Sequence, residues 1–99
     1  MQGSFCFPHK EEILKIIIDR ARPREIILFG SRAKGNSFYC SDIDLAIKGA
    51  FLSFREKRKL KEEVDRKAGI FSVDVLFYEE LSQEMKERVD KEGVVLWKR

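Results

Sequence analysis

Two cysteines, two prolines, one histidine and one tryptophan are all that this sequence holds of those residue types. Cys6 and Cys40 form no C-x-x-C pair and stand in no Cys/His spacing, so nothing points to zinc and nothing asks for a disulfide. His9 is solitary and takes no role. No apolar stretch approaches the ~20 residues that cross a bilayer. The N-terminus lacks a basic region followed by an apolar run and a small-residue cleavage site. No membrane association is expected, and the cytoplasm is the expected location. No basic block is present either. Basic residues number 20 against 17 acidic, a net charge of +3. The densest run, Arg55-Glu56-Lys57-Arg58-Lys59, mixes signs and continues into Lys61-Glu62-Glu63. It reads as a solvated helix exterior rather than a nucleic-acid footprint. Internal repeats, linkers and low-complexity segments are absent.

What remains is enough for one domain, residues 1–99, with 43% apolar and 37% charged residues. A domain of this size buries roughly two-thirds of its unfolded surface. Met1 to Pro8 reads as a loose lead-in. His9 to Ala21 is predicted helical, with Ile13, Leu14, Ile17 and Ala21 on one stripe, and Pro23 ends it. Glu25 to Phe29 reads as a buried strand. Gly30 to Gly35 reads as a tight turn and a short helical piece, and Asn36 to Ser41 as loop. Asp42 to Lys48 alternates, with Ile43, Leu45 and Ile47 on one face. Ser53 to Ala68 is a second helix, buried along Leu60, Val64 and Ala68 and stopped by Gly69. Ser72 to Phe77 is a third strand, with Val73, Val75 and Phe77 inward. Glu79 to Lys91 is a third helix with Leu81, Met85, Arg88 and Val89 along one side. Gly93 ends it, Val94 to Trp97 forms a short last strand, and Trp97 is expected under the last helix. The Gly30–Ser41 segment is too short for a comfortable parallel crossover. The expected fold is therefore α+β: a small mixed sheet flanked by helices.

Asp42 and Asp44 are the most informative residues. Positions two apart on a strand share a face, so their carboxylates would stand side by side. At ~4 Å, two such charges repel by on the order of 4 kcal/mol at an effective dielectric of 20. Aspartate suits strands poorly, so stability does not account for the pair. A divalent cation between them would remove the repulsion, and hard oxygen donors suit Mg²⁺ or Mn²⁺. Asp74 lies between Val73 and Val75 and would face away from the core. If its strand pairs with Asp42–Lys48, all three aspartates share one face. Three carboxylates can hold two metal ions that clamp an in-line phosphoryl displacement. Taken singly, Asp42 also fits a turn position and Asp74 an edge-strand solubility device.

Gly30-Ser31 follows an apolar strand. The glycine admits close backbone approach, and a helix start there would offer N–H groups to an anion. Ser31 adds a hydroxyl, and Arg32 and Lys34 add charge. Alone, Ser31 is more often a plain helix N-cap, and Arg32 and Lys34 are more often solvated. The order carries the signal: apolar strand, Gly-Ser, a short gap, then Asp-x-Asp.

Gly30-Ser31, ten intervening residues and Asp42-Ile43-Asp44 resemble the signature of the DNA polymerase beta-like nucleotidyltransferase superfamily. The fuller string, Phe29 to Gly35 with Ser41 to Leu45, resembles its smallest branch, the minimal nucleotidyltransferases (MNT). Asp74, in Val73-Asp-Val-Leu76, matches the third carboxylate. Lys34 stands where many relatives have arginine, and Cys40 is not usual beside the motif; it reads as a half-buried bystander. The resemblance implies transfer of a nucleoside monophosphate, AMP from ATP, to a hydroxyl, with release of pyrophosphate. It implies that Asp42 and Asp44 bridge two Mg²⁺ or Mn²⁺ ions and that Asp74 binds the catalytic one. Gly30 and Ser31 would hold the β- and γ-phosphates and Arg32 would orient them. Lacking a second lobe, the domain would need its acceptor presented by a partner or by a second copy. In relatives of this size the partner is commonly a helical HEPN-type toxin, modified on a tyrosine by its antitoxin. Two other classes stay open: a non-catalytic nucleotide- or toxin-binding module, against which the repulsive carboxylate cluster speaks, and a nucleic-acid binder, to which the small net charge gives little support.

Overall fold

The computed structural model of the chain describes residues 9–29, 42–69 and 72–99. The expected lead-in, the Gly30–Ser41 turn and loop, and both cysteines lie outside them. Helix α1 (Lys10–Ala21) buries Ile13, Leu14, Ile17 and Ala21, the stripe that its periodicity predicts. It stops where Arg22 turns left-handed (φ 48°), its N–H donating to the Ile18 carbonyl, just before Pro23. Strand β1 (Glu25–Phe29) follows, then β2 (Asp42–Lys48). Helix α2 (Phe54–Ala68) opens on a capping box: the Ser53 hydroxyl accepts from Glu56 N–H and the Glu56 carboxylate accepts from Ser53 N–H. It ends at Gly69, whose φ of 71° an L side chain adopts reluctantly. Strand β3 (Ser72–Phe77), helix α3 (Gln83–Glu92) and strand β4 (Val94–Lys98) complete the order.

The sheet runs β3-β2-β1-β4, with β2 parallel to β3 and both β2 and β4 antiparallel to β1. It is the mixed sheet that the short first connection requires. Alternation sorts its side chains. Ile26, Leu28, Ile43, Leu45, Ile47, Val73, Val75 and Phe77 join the α1 and α2 stripes in one core. Burying each such side chain contributes about 1.5–3 kcal/mol. Arg20 ties the two helices together across this layer through a two-point bond to Glu63, at 2.5 and 2.9 Å. That bond holds the Glu63 carboxyl below its ordinary range. The opposite face carries a smaller cluster of Ile27, Phe29, Ala46 and Val89, with Leu76, Tyr78, Leu81 and Met85 against it. Here α3 lies on the sheet.

Three details differ from the sequence reading. The third helix does not begin at Glu79. Residues Tyr78–Glu80 form one 3₁₀ turn, Leu81 is extended, and α3 starts after Ser82, whose hydroxyl accepts from Met85 N–H. A serine that satisfies an orphan N–H resets the helix start. Arg88 is exposed, while Leu81, Met85 and Val89 supply the inward side. Trp97 packs against the α1–α2 core and not under α3. The β1–β4 register shifts between Ile26 and Ile27: Val95 pairs with Ile27, but Trp97 pairs with Ile26. The extra residue, Leu96, inverts the alternation, so Leu96 and Trp97 both reach the α1–α2 side.

Candidate active site

Aspartate is a poor strand former, yet β2 carries two and β3 one among apolar neighbours. The hydrophobic alternation decides which way they point. Ile43 and Leu45 are buried on one face and Val73 and Val75 on the same face, so Asp44 and Asp74 stand on the other. The parallel register then sets Asp44 directly opposite Asp74. Neighbouring strands lie about 4.8 Å apart, which makes the two carboxylates next neighbours. Asp44 is half-buried and Asp74 exposed. Asp42 is a strand position of β2 opposite Ser72; its side chain lies outside the described residues. On the other flank, Asp44 pairs with Phe29. Phe29 is 2% exposed and is the residue to which Gly30 is joined. Strand β1 thus ends beside one aspartate. Gly30, Ser31 and Arg32 themselves lie outside the described residues.

The donors on this face are carboxylate oxygens, a set that suits a hard divalent cation such as Mg²⁺ or Mn²⁺. Among the described residues no group of three or more histidine, cysteine, aspartate or glutamate side chains gathers. The described part of the donor set is therefore the Asp44–Asp74 pair. The surrounding elements fix the positions of the pair. Asp44 is flanked along its strand by Ile43 and Leu45, which are 1% and 0% exposed. Slipping β2 by one residue would turn the whole apolar set outward.

Farther along the same face lies a polar cluster for which the sequence offered one signal only: Tyr78 continues the parity of Asp74 and Leu76. Its hydroxyl donates to the Asp90 carboxylate, 3.0 Å to the nearer oxygen, and Lys48 Nζ sits 4.5 Å and Lys86 Nζ 5.6 Å from the ring centre. Desolvation, then the bond to Asp90, raises the phenol above its ordinary range. These contacts pin the 3₁₀ turn and α3 to the sheet. They join residues from three separate segments, which no local pattern could pair.

Comparison with known proteins places this geometry among relatives. A family model described as polymerase beta, nucleotidyltransferase, matches residues 11–99. A toxin–antitoxin structure determined with AMP-PNP is similar at 27% identity, over 91% of this chain and 73% of that one, with a TM-score of 0.73. A protein assigned as a nucleotidyltransferase from Sulfolobus solfataricus is 29% identical over 91% of this chain and 78% of that one, with a TM-score of 0.56. A complex of tri-AMPylated HEPN toxin with MNT antitoxin from Shewanella oneidensis shares the fold at 24% identity, 92% and 71% coverage, and a TM-score of 0.70. No curated protein matches the chain.

Proposed function

The chain belongs to the polymerase beta nucleotidyltransferase family, and from that premise we propose that it moves AMP from ATP to a hydroxyl of a helical HEPN-type toxin and so acts as its antitoxin. The observation that carries the reading is the register of β2 and β3, which stands Asp44 beside Asp74 on a face where Phe29, Ala46 and Leu76 are their apolar neighbours. A binding module gains nothing from two neighbouring like charges. The similar toxin–antitoxin structure determined with AMP-PNP supports ATP as donor and a toxin as partner.

In this reading Asp42, Asp44 and Asp74 would hold two divalent cations, which would neutralise the triphosphate and lower the pKa of the attacking hydroxyl. The chain's own residues do the rest. Gly30 lets the backbone approach the β- and γ-phosphates, Ser31 donates its hydroxyl to them, and Arg32 orients them by charge. The acceptor oxygen attacks the α-phosphorus in line. The bond from that phosphorus to the bridging oxygen breaks, and pyrophosphate leaves. Asp74, more exposed than Asp44, takes the acceptor proton. The partner presents the hydroxyl.

The test is incubation with Mg²⁺, labelled ATP and a HEPN-type toxin, followed by intact mass. One AMP added to the toxin, dependent on the metal and lost in Asp42→Asn/Asp44→Asn, supports the reading. Retention of nucleotide without transfer at any partner concentration would establish a binding module instead.

A further inference from the structure

The transfer reading uses one face of the sheet. The other is covered by α1 and α2, and the outer side of α2 has features that neither the core nor the carboxylates explain. Seven basic and four acidic residues lie in Phe54–Ala68, an excess as large as that of the whole chain. Counting about 100° per residue, Arg55, Lys59, Glu62 and Arg66 fall on one ridge, opposite the buried Leu60, Val64 and Ala68. Arg58 lies beside it. Most of the acidic residues of α2 are already engaged. Glu56 is held in the capping box, Glu62 lies 3.7 Å from Arg58, and Glu63 is bound by Arg20. Among the described residues no ion pair reaches Arg55, Lys59 or Arg66. At the start of this ridge Phe51 and Phe54 are each 83% exposed, although packing alone would bury such rings.

We propose that the outer ridge of α2, with Phe51 and Phe54 at its foot, docks a partner protein through an acidic surface that carries an apolar pocket. Charge complementarity selects an anionic partner. The side chains select a protein over a nucleic acid. Three of the four cations are arginines, whose planar fork pairs carboxylates in two-point fashion. Glu62 sits in the middle of the ridge, where it would repel a continuous phosphate backbone. The two rings gather at one end, whereas base stacking uses aromatics spaced along the track. Arginine and phenylalanine are also the types enriched in the cores of protein interfaces. The ridge spans ~17 Å, from Arg55 to Arg66 at 1.5 Å per residue, and fits within one side of a standard interface of about 800 Å². The proposal does not depend on the transfer chemistry, because this face lies across the sheet from Asp44 and Asp74.

The test uses the whole chain and a fluorescein-labelled synthetic peptide with glutamate and leucine at helical spacing, titrated by anisotropy. The expected result is binding that weakens as salt is raised. It should fall roughly tenfold or more, the scale of an interface hot spot, in Arg55→Glu/Lys59→Glu/Arg66→Glu and, separately, in Phe51→Ser/Phe54→Ser. All five positions are exposed or unpaired, and thermal melts establish that the variants fold. Absence of binding, or wild-type affinity in either variant, overturns the proposal. So does tighter binding of oligo-dT through the same residues, which would make the ridge a nucleic-acid surface. Self-association of the wild type that the charge reversal abolishes would assign the ridge to a second copy of the chain and equally overturns it.

Discussion

Asp74 and Gly93 show how differently single residues can matter in this sheet. Asp74 is exposed and contributes no packing, so Asp74→Asn should leave the fold unchanged. With Asp42, Asp44 and the Gly30-Ser31 turn intact, the variant should bind Mg²⁺–ATP in a calorimetric titration. Transfer should nevertheless slow about a hundredfold, the equivalent of ~3 kcal/mol of transition-state stabilisation. Normal transfer would remove Asp74 from the mechanism. Gly93 is the opposite case. A Cβ placed there would lie 2.4 Å from Ile27 Cγ2 and 2.4 Å from the Val89 carbonyl oxygen. The carbonyl belongs to the end of α3 and accepts the Gly93 N–H, so it cannot retreat without breaking that bond. Gly93→Ala should therefore cost about 1–3 kcal/mol, as overpacked sites do. In a domain of this length that lowers Tm by roughly 4–8 °C per kcal/mol. A melt within a degree of wild type would mean that β4 shifts freely away from α3.

At the level of elements, α2 depends on its first turn. Its sequence is dominated by charged residues, and three buried side chains, Leu60, Val64 and Ala68, hold it to the sheet. The Ser53 box satisfies two otherwise orphaned N–H groups, and Ser53→Ala should cost ~1 kcal/mol, read as an earlier denaturant midpoint at unchanged slope. How far each element was legible follows from the range of the forces that set it. The faces of α1, α2, β2 and β3 were readable because burial imprints a period of 3.6 or 2 on a few consecutive residues. The start of α3 was not, since Ser82 competes with an equally helical-looking Tyr78–Leu81. The side of the sheet that Trp97 joins was hidden for another reason: a one-residue shift against a strand far away in sequence decides it. The candidate site divides the same way. Strand alternation put Asp44 and Asp74 on one side of their strands, but only the parallel pairing makes them neighbours. The Tyr78–Asp90 contact had no local trace beyond the parity of Tyr78 with Asp74.

At the scale of the whole molecule, the sheet gathers segments in an order unlike their order along the chain. The parallel β2–β3 pair forms across α2, and the antiparallel β1–β2 pair across a short connection. The remaining ladder joins Leu28 to Val94 and Glu25 to Lys98, so β1 is expected to gain its second neighbour late. Closing so long a loop has an entropic cost that must be met before its contacts reward it. Refolding should therefore be slow for a chain of this length, on the millisecond-to-second scale of topologies rich in distant pairings. Val95→Ala, at a half-exposed site on that strand, should speed unfolding and leave the refolding limb of the chevron nearly unmoved. An equal loss on the refolding limb would place β4 in the nucleus. Until β4 arrives, β1 presents an unpaired hydrogen-bonding edge, which makes the interval before completion the chain's window of exposure to strand-mediated aggregation.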